Sequence, residues 1–309
     1  MQVAVVDIGS NSTRLLLARM QDGRVTEELV RRSVVTRLGR GVDAGGSLSQ
    51  ENMERVFSTL EEYRRLIDEN GGAGTAVAVL TSAVRDAANG EEFARTVGER
   101  FGLAPHILTG DDEAKMTFLG ATSERDPADE TPTLVIDIGG GSTETVIGRP
   151  GREPDFHVSN QAGVVRQTER HLAHDPPAQS ELDALSADVR AIFVAAVPEE
   201  RRRVVGQAIA VAGTATSLAA IAQSLDPYDP TRVHGFQLTR AECERMLGEL
   251  AAVPVEERRK VKGLHPDRAP TIVAGVLILL EVLDLFGLDN VEVSEHDILR
   301  GAALAITRK

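Results

Sequence analysis

The sequence predicts an α/β protein built from two related domains. Three observations lead to this prediction: a short motif that occurs twice, segments of strand-like and helix-like pattern that alternate along the chain, and a length greater than one ordinary domain. The chain has 309 residues, whereas a single domain usually holds roughly 100 to 200. Strands and helices in mixed order are typical of α/β proteins.

The repeated motif opens each predicted domain. Residues 3–14 read VAVVDIGSNSTR, and residues 133–144 read TLVIDIGGGSTE. Aligned without gaps, Asp7 meets Asp137, and Arg14 falls opposite Glu144. In each copy a β-branched run predicts a buried strand, a Gly/Ser cluster predicts a tight turn, and apolar residues then resume. We therefore predict two β-hairpins whose turns present backbone N–H groups and hydroxyls, a natural site for phosphate.

The elements between the two copies follow in order. Apolar residues at helical spacing predict a helix over 49–71, and the segment 75–87 has the pattern of a strand that runs into the start of a helix. A second helix (91–102), a strand (106–110) and a third helix (111–123) with acidic residues in its first turn come next. Residues 122–132 are polar and contain proline, which indicates a loop. We place one domain over 1–120, completed by a C-terminal helix over 297–309, and the other over 121–296.

The second half contains a third candidate phosphate loop. Residues 204–223 have the pattern of a strand, a turn at Gly213 and Thr214, and a helix. Many strand-to-helix turns look like this, so a simple turn with incidental ligand contact remains the alternative. A strongly apolar helix (271–287), a short strand (290–295) and a final helix (297–308) complete the predicted elements.

Composition excludes several classes of protein. The net charge is −13, from 34 basic and 47 acidic residues, and the chain has no Trp, which disfavours a nucleic-acid partner. No apolar run approaches the ~20 residues of a membrane span. No secretory leader is visible, so we expect a cytoplasmic protein that contacts no membrane. The single cysteine, Cys243, cannot form an intramolecular disulfide, and we expect it to be inert.

Several motifs together resemble the exopolyphosphatase/pppGpp phosphatase (Ppx/GppA) family. They are the two DIG turns, the segment 81–89 (TSAVRDAAN), the segment 110–114 (GDDEA) and the Gly213–Thr214 turn, in this order along the chain. The resemblance runs from residue 1 to about residue 305. It implies two ribonuclease-H-like domains of the actin-like ATPase and sugar kinase superfamily with an interdomain cleft, in the short two-domain form. It also implies a homodimer.

The resemblance implies a role for each candidate site residue. Glu113 corresponds to the acidic residue that activates the attacking water, and Arg85 to an arginine on the terminal phosphate. Asp7, Asp137 and Glu144 offer the hard oxygen ligands that Mg²⁺ prefers. The remaining phosphate-binding candidates lie in the three turns: Gly9, Ser10, Asn11, Ser12, Arg14, Gly139, Gly140, Gly141, Ser142, Thr143, Gly213 and Thr214.

The chain departs from the family pattern at three places. Asp112 stands where relatives have Glu, before the unchanged Glu113. Residues 294–301 read SEHDILRG, whereas many relatives read like SDGxxREG, so the role of any charged group there is open. Pro270 replaces an acidic residue after Asp267 and Arg268. We assign Asp267 no catalytic role, and Arg268 only a phosphate contact.

Two His-Asp dipeptides suggest another kind of metal-dependent phosphohydrolase. They lie at His174–Asp175 and His296–Asp297. Neither is accompanied in the sequence by the spaced His and Asp partners that such a site requires. We therefore do not predict that class of enzyme.

The leading functional hypothesis is a hydrolase acting on phosphoric anhydrides. It removes the terminal phosphoryl group of inorganic polyphosphate with Mg²⁺, and we expect it to prefer short chains. The close alternative is hydrolysis of pppGpp by the same residues. Remoter alternatives are a small-molecule kinase and a nucleotide-binding sensor, because both share this fold.

Overall fold

The computed structural model describes residues 1–307. The chain forms two compact units. Unit 1 contains residues 1–120 and the segment that begins at Asp297, and unit 2 contains residues 121–296. The two units are described separately below.

Unit 1 is built on a five-stranded sheet in the order β3-β2-β1-β4-β5. Its first three strands are antiparallel, and the last two run parallel to the first. The strands are β1 (Gln2–Ile8), β2 (Ser12–Gln21), β3 (Arg24–Val35), β4 (Thr75–Leu80) and β5 (Ala104–Ile107).

Helices cover both faces of this sheet. They are α1 (Val42–Gly45), α2 (Gln50–Glu69), α3 (Ser82–Asp86), α4 (Gly90–Phe101), α5 (Gly110–Ala121) and, at the end of the chain, α14 (Ile298–Thr307). One core contains Phe57 and Leu60 of α2 with Val97 of α4. The other core contains Leu299 and Ala303 of α14. Alternate residues of β1 enter the two cores, which explains why its sequence is continuously apolar.

Unit 2 repeats the same sheet order with one extra strand. The order is β10-β11-β9-β6-β7-β8, so β6, β7, β8, β9 and β11 correspond to the five strands of unit 1. The strands are β6 (Thr133–Ile138), β7 (Thr143–Gly148), β8 (Phe156–Asn160), β9 (Gln207–Val211), β10 (Gln237–Thr239) and β11 (Asn290–Val293).

Unit 2 has one large core, which includes the apolar helix predicted at 271–287. The helices of this unit follow in chain order. They are α6 (Val164–His171), α7 (Gln179–Ala196), α8 (Glu199–Arg202), α9 (Ala212–Ala222), α10 (Pro230–Val233), α11 (Arg240–Ala251), α12 (Val255–Arg258) and α13 (Ile272–Phe286), with a 3₁₀ turn at Pro266–Arg268. Cys243 is buried in this core, and desolvation raises the pKa of its thiol to about 12. The thiolate is therefore not populated at neutral pH.

The predicted fold class is confirmed, because both sheets have the strand order of a ribonuclease-H-like domain. The structure adds β3, a twelve-residue strand whose charged, mostly exposed residues obscure its pattern. The last helix is observed from Ile298 to Thr307, and residues 308 and 309 of the predicted segment lie outside the described residues. Within residues 1–307, no helix has the length and apolar character needed to cross a membrane.

Candidate active site

The first DIG turn connects β1 and β2, and a loop of the same unit holds it in place. The Gly9 N–H closes the turn on the Ser12 carbonyl at 3.0 Å. The loop after β3 donates from Arg37 N–H to the Asn11 carbonyl (2.9 Å) and from Gly39 N–H to the Ser10 carbonyl (2.8 Å). In a trans peptide plane the C=O and the following N–H point in opposite directions. The amides of Asn11 and Ser12 therefore point away from this loop and can meet an anion.

The second DIG turn, between β6 and β7, is held by the start of α6. The Gly139 N–H again closes on the Ser142 carbonyl at 3.0 Å. The carbonyls of the three glycines accept in sequence from Val164 N–H (2.9 Å), Val165 N–H (2.8 Å) and the Arg166 Nε–H (2.9 Å). By the same peptide geometry, the next three amides point the other way; they belong to Gly140, Gly141 and Ser142.

Glycine is required where α6 meets this turn. A Cβ built on Gly163 would lie 2.4 Å from the Gly140 carbonyl carbon, much closer than a van der Waals contact. The two backbones therefore approach each other only because residue 163 has no side chain.

Asp7, the acidic residue of the first hairpin, is buried and forms an ion pair with an arginine. Asp7 and Arg14 are directly paired across β1 and β2, and Oδ2 of Asp7 accepts from Arg14 Nε (2.8 Å) and Nη2 (2.5 Å). Nη1 of Arg14 donates to Asp297 at the start of α14. Oδ1 of Asp7 is buried and has no partner within the described residues. Burial raises the pKa of Asp7, and Arg14 opposes this effect.

The second hairpin places two carboxylates at the corresponding positions. Asp137 and Glu144 are directly paired across β6 and β7, and both are buried. Glu144 Oε1 accepts from the hydroxyls of Ser142 and Ser159, each at 2.8 Å. Directly paired residues have Cβ atoms about 5 Å apart. Buried carboxylates on directly paired residues are typically balanced by a cation or by hydrogen-bond donors.

The candidate water-activating residue lies in the first turn of α5. Glu113 is buried, and its Oε2 accepts from Arg85 Nη1 at 3.1 Å. The same Arg85 nitrogen donates to the Leu108 carbonyl at 2.9 Å, so Arg85 ties α3 to the segment entering α5. Asp112, which departs from the family pattern, accepts from the Thr109 hydroxyl at 2.7 Å. It therefore helps to begin the helix that carries Glu113.

The third turn brings Arg268 onto Gly213. A Cβ on Gly213 would lie 1.4 Å from Nη1 of Arg268, so the guanidinium lies directly on this glycine. Thr214, the next residue, is buried. Preceding the turn, Ala212 adopts a left-handed conformation with φ of 63°. The structure thus places one positive side chain at the N-terminal end of α9.

The sequence-predicted residues form separate groups within each unit. In unit 1, Asp7 and Arg14 are joined, Arg85 and Glu113 are joined, and Ser10 contacts Ser82 through their hydroxyls at 2.9 Å. In unit 2, the glycine turn lies beside the acidic pair of its own hairpin, whereas the Gly213 turn lies at the end of another strand. The roles of all these residues remain predictions.

Sequence reasoning missed several residues at these sites. They are Ser82, Ser159 and Asp297, together with the supporting loop over 36–41. Ser82 lies inside the TSAVRD segment, which was already assigned to the site. A contact with the first turn could therefore have been predicted for it. For Asp297 the only signal was that its segment departs from the family pattern. Its contact with Arg14 could not be predicted, because 283 residues separate the two in the sequence.

Known proteins resemble this chain over its whole length. Residues 16–304 match the Ppx/GppA phosphatase family. Exopolyphosphatase 2 of Mycobacterium tuberculosis is 34% identical, over 99% of this chain and 98% of that protein. The solved structure of the Aquifex aeolicus member of the Ppx/GppA family has a TM-score of 0.82 at 32% identity, covering 100% of this chain and 98% of that one. An exopolyphosphatase from Cytophaga hutchinsonii has a TM-score of 0.89 at 25% identity, with the same coverage.

These similarities confirm the resemblance that the motifs indicated. The match includes β2 from Leu16 onward, the whole of β7 and α5, and residues 298–304 of the final helix. Because it runs through both units and the relatives are covered almost from end to end, the chain belongs to the Ppx/GppA phosphatase family.

Proposed function

We propose that this protein is an exopolyphosphatase, a hydrolase that releases orthophosphate from the end of inorganic polyphosphate. The observation that supports this most strongly is the pair of DIG turns, each with its carbonyls bound to its own unit and its amides directed the other way. Such rows of amides are anion sites. Relatives that cover the whole chain bear the name exopolyphosphatase.

Phosphate binding falls to the turn amides and to the hydroxyls beside them. Asn11 and Ser12 donate backbone N–H groups from unit 1, and Gly140, Gly141 and Ser142 from unit 2. Arg85 has further N–H donors besides Nη1, and a guanidinium fork suits phosphate oxygens. These groups bind any phosphoanhydride end, so they account for phosphate recognition and not for the choice of substrate.

The carboxylates fit a magnesium ion. Asp137 and Glu144 offer a buried acidic pair, and Asp7 offers Oδ1, to which no residue among 1–307 donates. Hard oxygen donors of this kind are the ligands that Mg²⁺ uses together with phosphate oxygens. When bound, the ion neutralises charge on the phosphate oxygens. Asp137 and Glu144 in unit 2, and Asp7 in unit 1, are therefore the residues proposed as Mg²⁺ ligands.

Glu113 is proposed to accept the proton of the attacking water. The water oxygen forms a bond to the terminal phosphorus, the bridging P–O bond breaks, and the bonding electrons leave with the shortened chain. The water proton moves to Glu113. Arg85 holds the Glu113 carboxylate in place through the 3.1 Å contact from Nη1.

The substrate is tested by orthophosphate release with Mg²⁺ from short polyphosphate, long polyphosphate, pppGpp and ATP in parallel. We expect the highest kcat/KM with short polyphosphate. Faster turnover of chains hundreds of units long would contradict the chain-length preference. A higher kcat/KM for pppGpp would replace the proposed substrate by the close alternative, and no release from any of the four by the folded protein would exclude the hydrolase assignment.

Asp297 provides a second prediction, because it shares Arg14 with Asp7. If both acids are ionised, the three side chains carry one net negative charge. In Asp297→Asn the charge of Arg14 is no longer shared with Asp297, so it neutralises Asp7 more strongly and weakens the attraction for a cation. Asparagine still caps α14, where Asp297 Oδ1 accepts from Leu299 N–H at 3.1 Å.

We therefore expect the Mg²⁺ concentration for half-maximal activity to rise about three- to tenfold in Asp297→Asn, with a smaller change in kcat at saturating Mg²⁺. Magnesium titrations of phosphate release measure both quantities. Asp68→Asn, in an exposed ion pair with Arg64, is the matched control. An unchanged Mg²⁺ requirement, or an equal shift in the control, would show that Asp297 has no such role.

A further inference from the structure

A group of metal-binding side chains lies in unit 2, outside the turns and acids already described. Glu124 follows α5, His234 follows α10, and His296 follows β11. One ligand atom from each residue lies within 4.8 Å of the other two. Their positions in the sequence are far apart, so the fold alone brings them together. We refer to these three residues as the histidine site.

The backbone holds the two histidines against each other. Gly235 N–H donates to the Val293 carbonyl, and Val293 N–H donates to the Phe236 carbonyl, both at 2.8 Å. These two bonds fix the residues beside His234 opposite the end of β11. The two imidazole rings consequently lie with centroids 4.4 Å apart. Nδ1 of His296 lies 3.7 Å from Glu124 Oε2.

This spacing is close to that of a tetrahedral metal site. With metal–ligand bonds of about 2.0–2.1 Å, neighbouring ligand atoms are about 3.3 Å apart. The 4.8 Å limit of the histidine site therefore requires the ligands to close by at most about 1.5 Å. Glu124 is exposed and long enough to make that movement by rotating its side chain.

Ser294 offers the supporting contact that a metal-bound histidine needs. Its hydroxyl accepts from His296 N–H at 3.0 Å and lies 3.4 Å from Nδ1 of His234. In the metal-free protein Nδ1 of His234 accepts from Glu295 N–H at 3.2 Å, which leaves the ring proton on Nε2. A metal bound at Nε2 requires the other tautomer, in which Nδ1–H donates to the Ser294 oxygen and no longer accepts from Glu295 N–H.

We propose that Glu124, His234 and His296 bind a borderline divalent metal ion of the Zn²⁺ class, with water as the fourth ligand. Two imidazoles and one carboxylate suit Zn²⁺ and Co²⁺, whereas the all-oxygen acids of the DIG hairpins suit Mg²⁺. The histidine site therefore differs in metal class from the proposed magnesium site. It does not depend on the proposed function.

The test uses the full chain, freed of metal and kept in excess Mg²⁺ to occupy oxygen-only sites. Isothermal titration with Zn²⁺ should show about one ion bound per chain, weakened more than roughly tenfold in His296→Gln. His174→Gln, which removes an exposed histidine paired with Glu181, should bind Zn²⁺ like the unchanged protein. Histidine ¹⁵N NMR should show the His234 proton moving from Nε2 to Nδ1 when Zn²⁺ binds.

Two results would overturn the proposal. One is the absence of stoichiometric Zn²⁺ binding, which would leave Glu124 and His296 as an ordinary ion pair. The other is Zn²⁺ binding of equal strength in folded His296→Gln. Where His296→Gln fails to fold, Co²⁺ added to the unchanged protein decides the outcome. The intense visible absorption of tetrahedral Co²⁺ supports the site, and the weak spectrum of octahedral Co²⁺ contradicts it.

Discussion

Replacing Glu113 by glutamine should lower the rate of orthophosphate release by roughly 10²–10⁴-fold, the range for loss of a general base. The amide cannot accept the water proton, but it has nearly the same shape as the carboxylate. Its oxygen can still accept from Arg85 Nη1, which lies 3.1 Å from the carboxylate. We therefore expect the variant to fold and to bind substrate while it loses turnover.

The measurement is kcat and KM for short polyphosphate, together with a thermal melt of each protein. Asp111→Asn is the matched control, because Asp111 lies in the same first turn of α5 and is exposed. A loss confined to kcat in Glu113→Gln supports its role in the chemical step. Activity within about threefold of the unchanged protein would remove Glu113 from the reaction.

Replacing Asp7 by asparagine should have two opposite effects. We expect phosphate release to fall more than about hundredfold, because the variant loses a carboxylate proposed to hold the metal ion. Without Mg²⁺, we expect the free energy of unfolding at neutral pH to rise. Asp7 is buried, and its raised pKa shows that the fold disfavours its ionised form. Asparagine removes this cost, and Asp297 continues to pair with Arg14.

The sign of the pH dependence follows from this raised pKa. Protonated Asp7 favours the folded state, and this contribution is complete below the pKa of the unfolded chain. It is lost as pH rises through the higher pKa of the folded state. The stability gained by Asp7→Asn should therefore grow as pH rises through that folded-state value, and it should vanish in acid.

Thermal melts in EDTA between roughly pH 4 and pH 8 test this second effect. Asp22→Asn, at the exposed turn between β2 and β3, is the control and should show no such trend. A stability difference of the opposite sign at neutral pH would mean that Arg14 compensates the burial of Asp7 fully. An active Asp7→Asn enzyme would exclude Asp7 from metal binding.

Much of the fold was predictable because its signals are local. The two hairpins are encoded in consecutive residues, with buried strands on either side of a Gly/Ser turn. The apolar helix at 271–287 was equally clear, since α13 is buried on nearly all sides. β3 was not predicted. Its charged residues give little β-pattern, and its strand structure depends on ten residues pairing with β2.

For the candidate site, too, some features could be predicted from the sequence and others could not. The turn residues, Asp7, Asp137, Glu144, Arg85 and Glu113 were all identified from motifs and from the family resemblance. The contacts that hold them were not. N–H groups of the loop over 36–41 donate to the carbonyls of the first turn, and N–H groups of α6 donate to those of the second. Neither segment has the sequence of a phosphate site.

The sequence by itself determined the duplicated hairpins, the family and the chemical types of the candidate site residues. These properties reside in short stretches whose turn chemistry and strand pattern depend on adjacent residues. Only the tertiary structure decided that Asp297 shares Arg14 with Asp7, that Arg268 lies on Gly213, and that two histidines meet Glu124. The physical reason is visible where α14 crosses α5: a Cβ on Gly301 would lie 1.7 Å from the Met116 carbonyl oxygen. Two helices approach closely there, and this contact between distant segments brings Asp297 to the site.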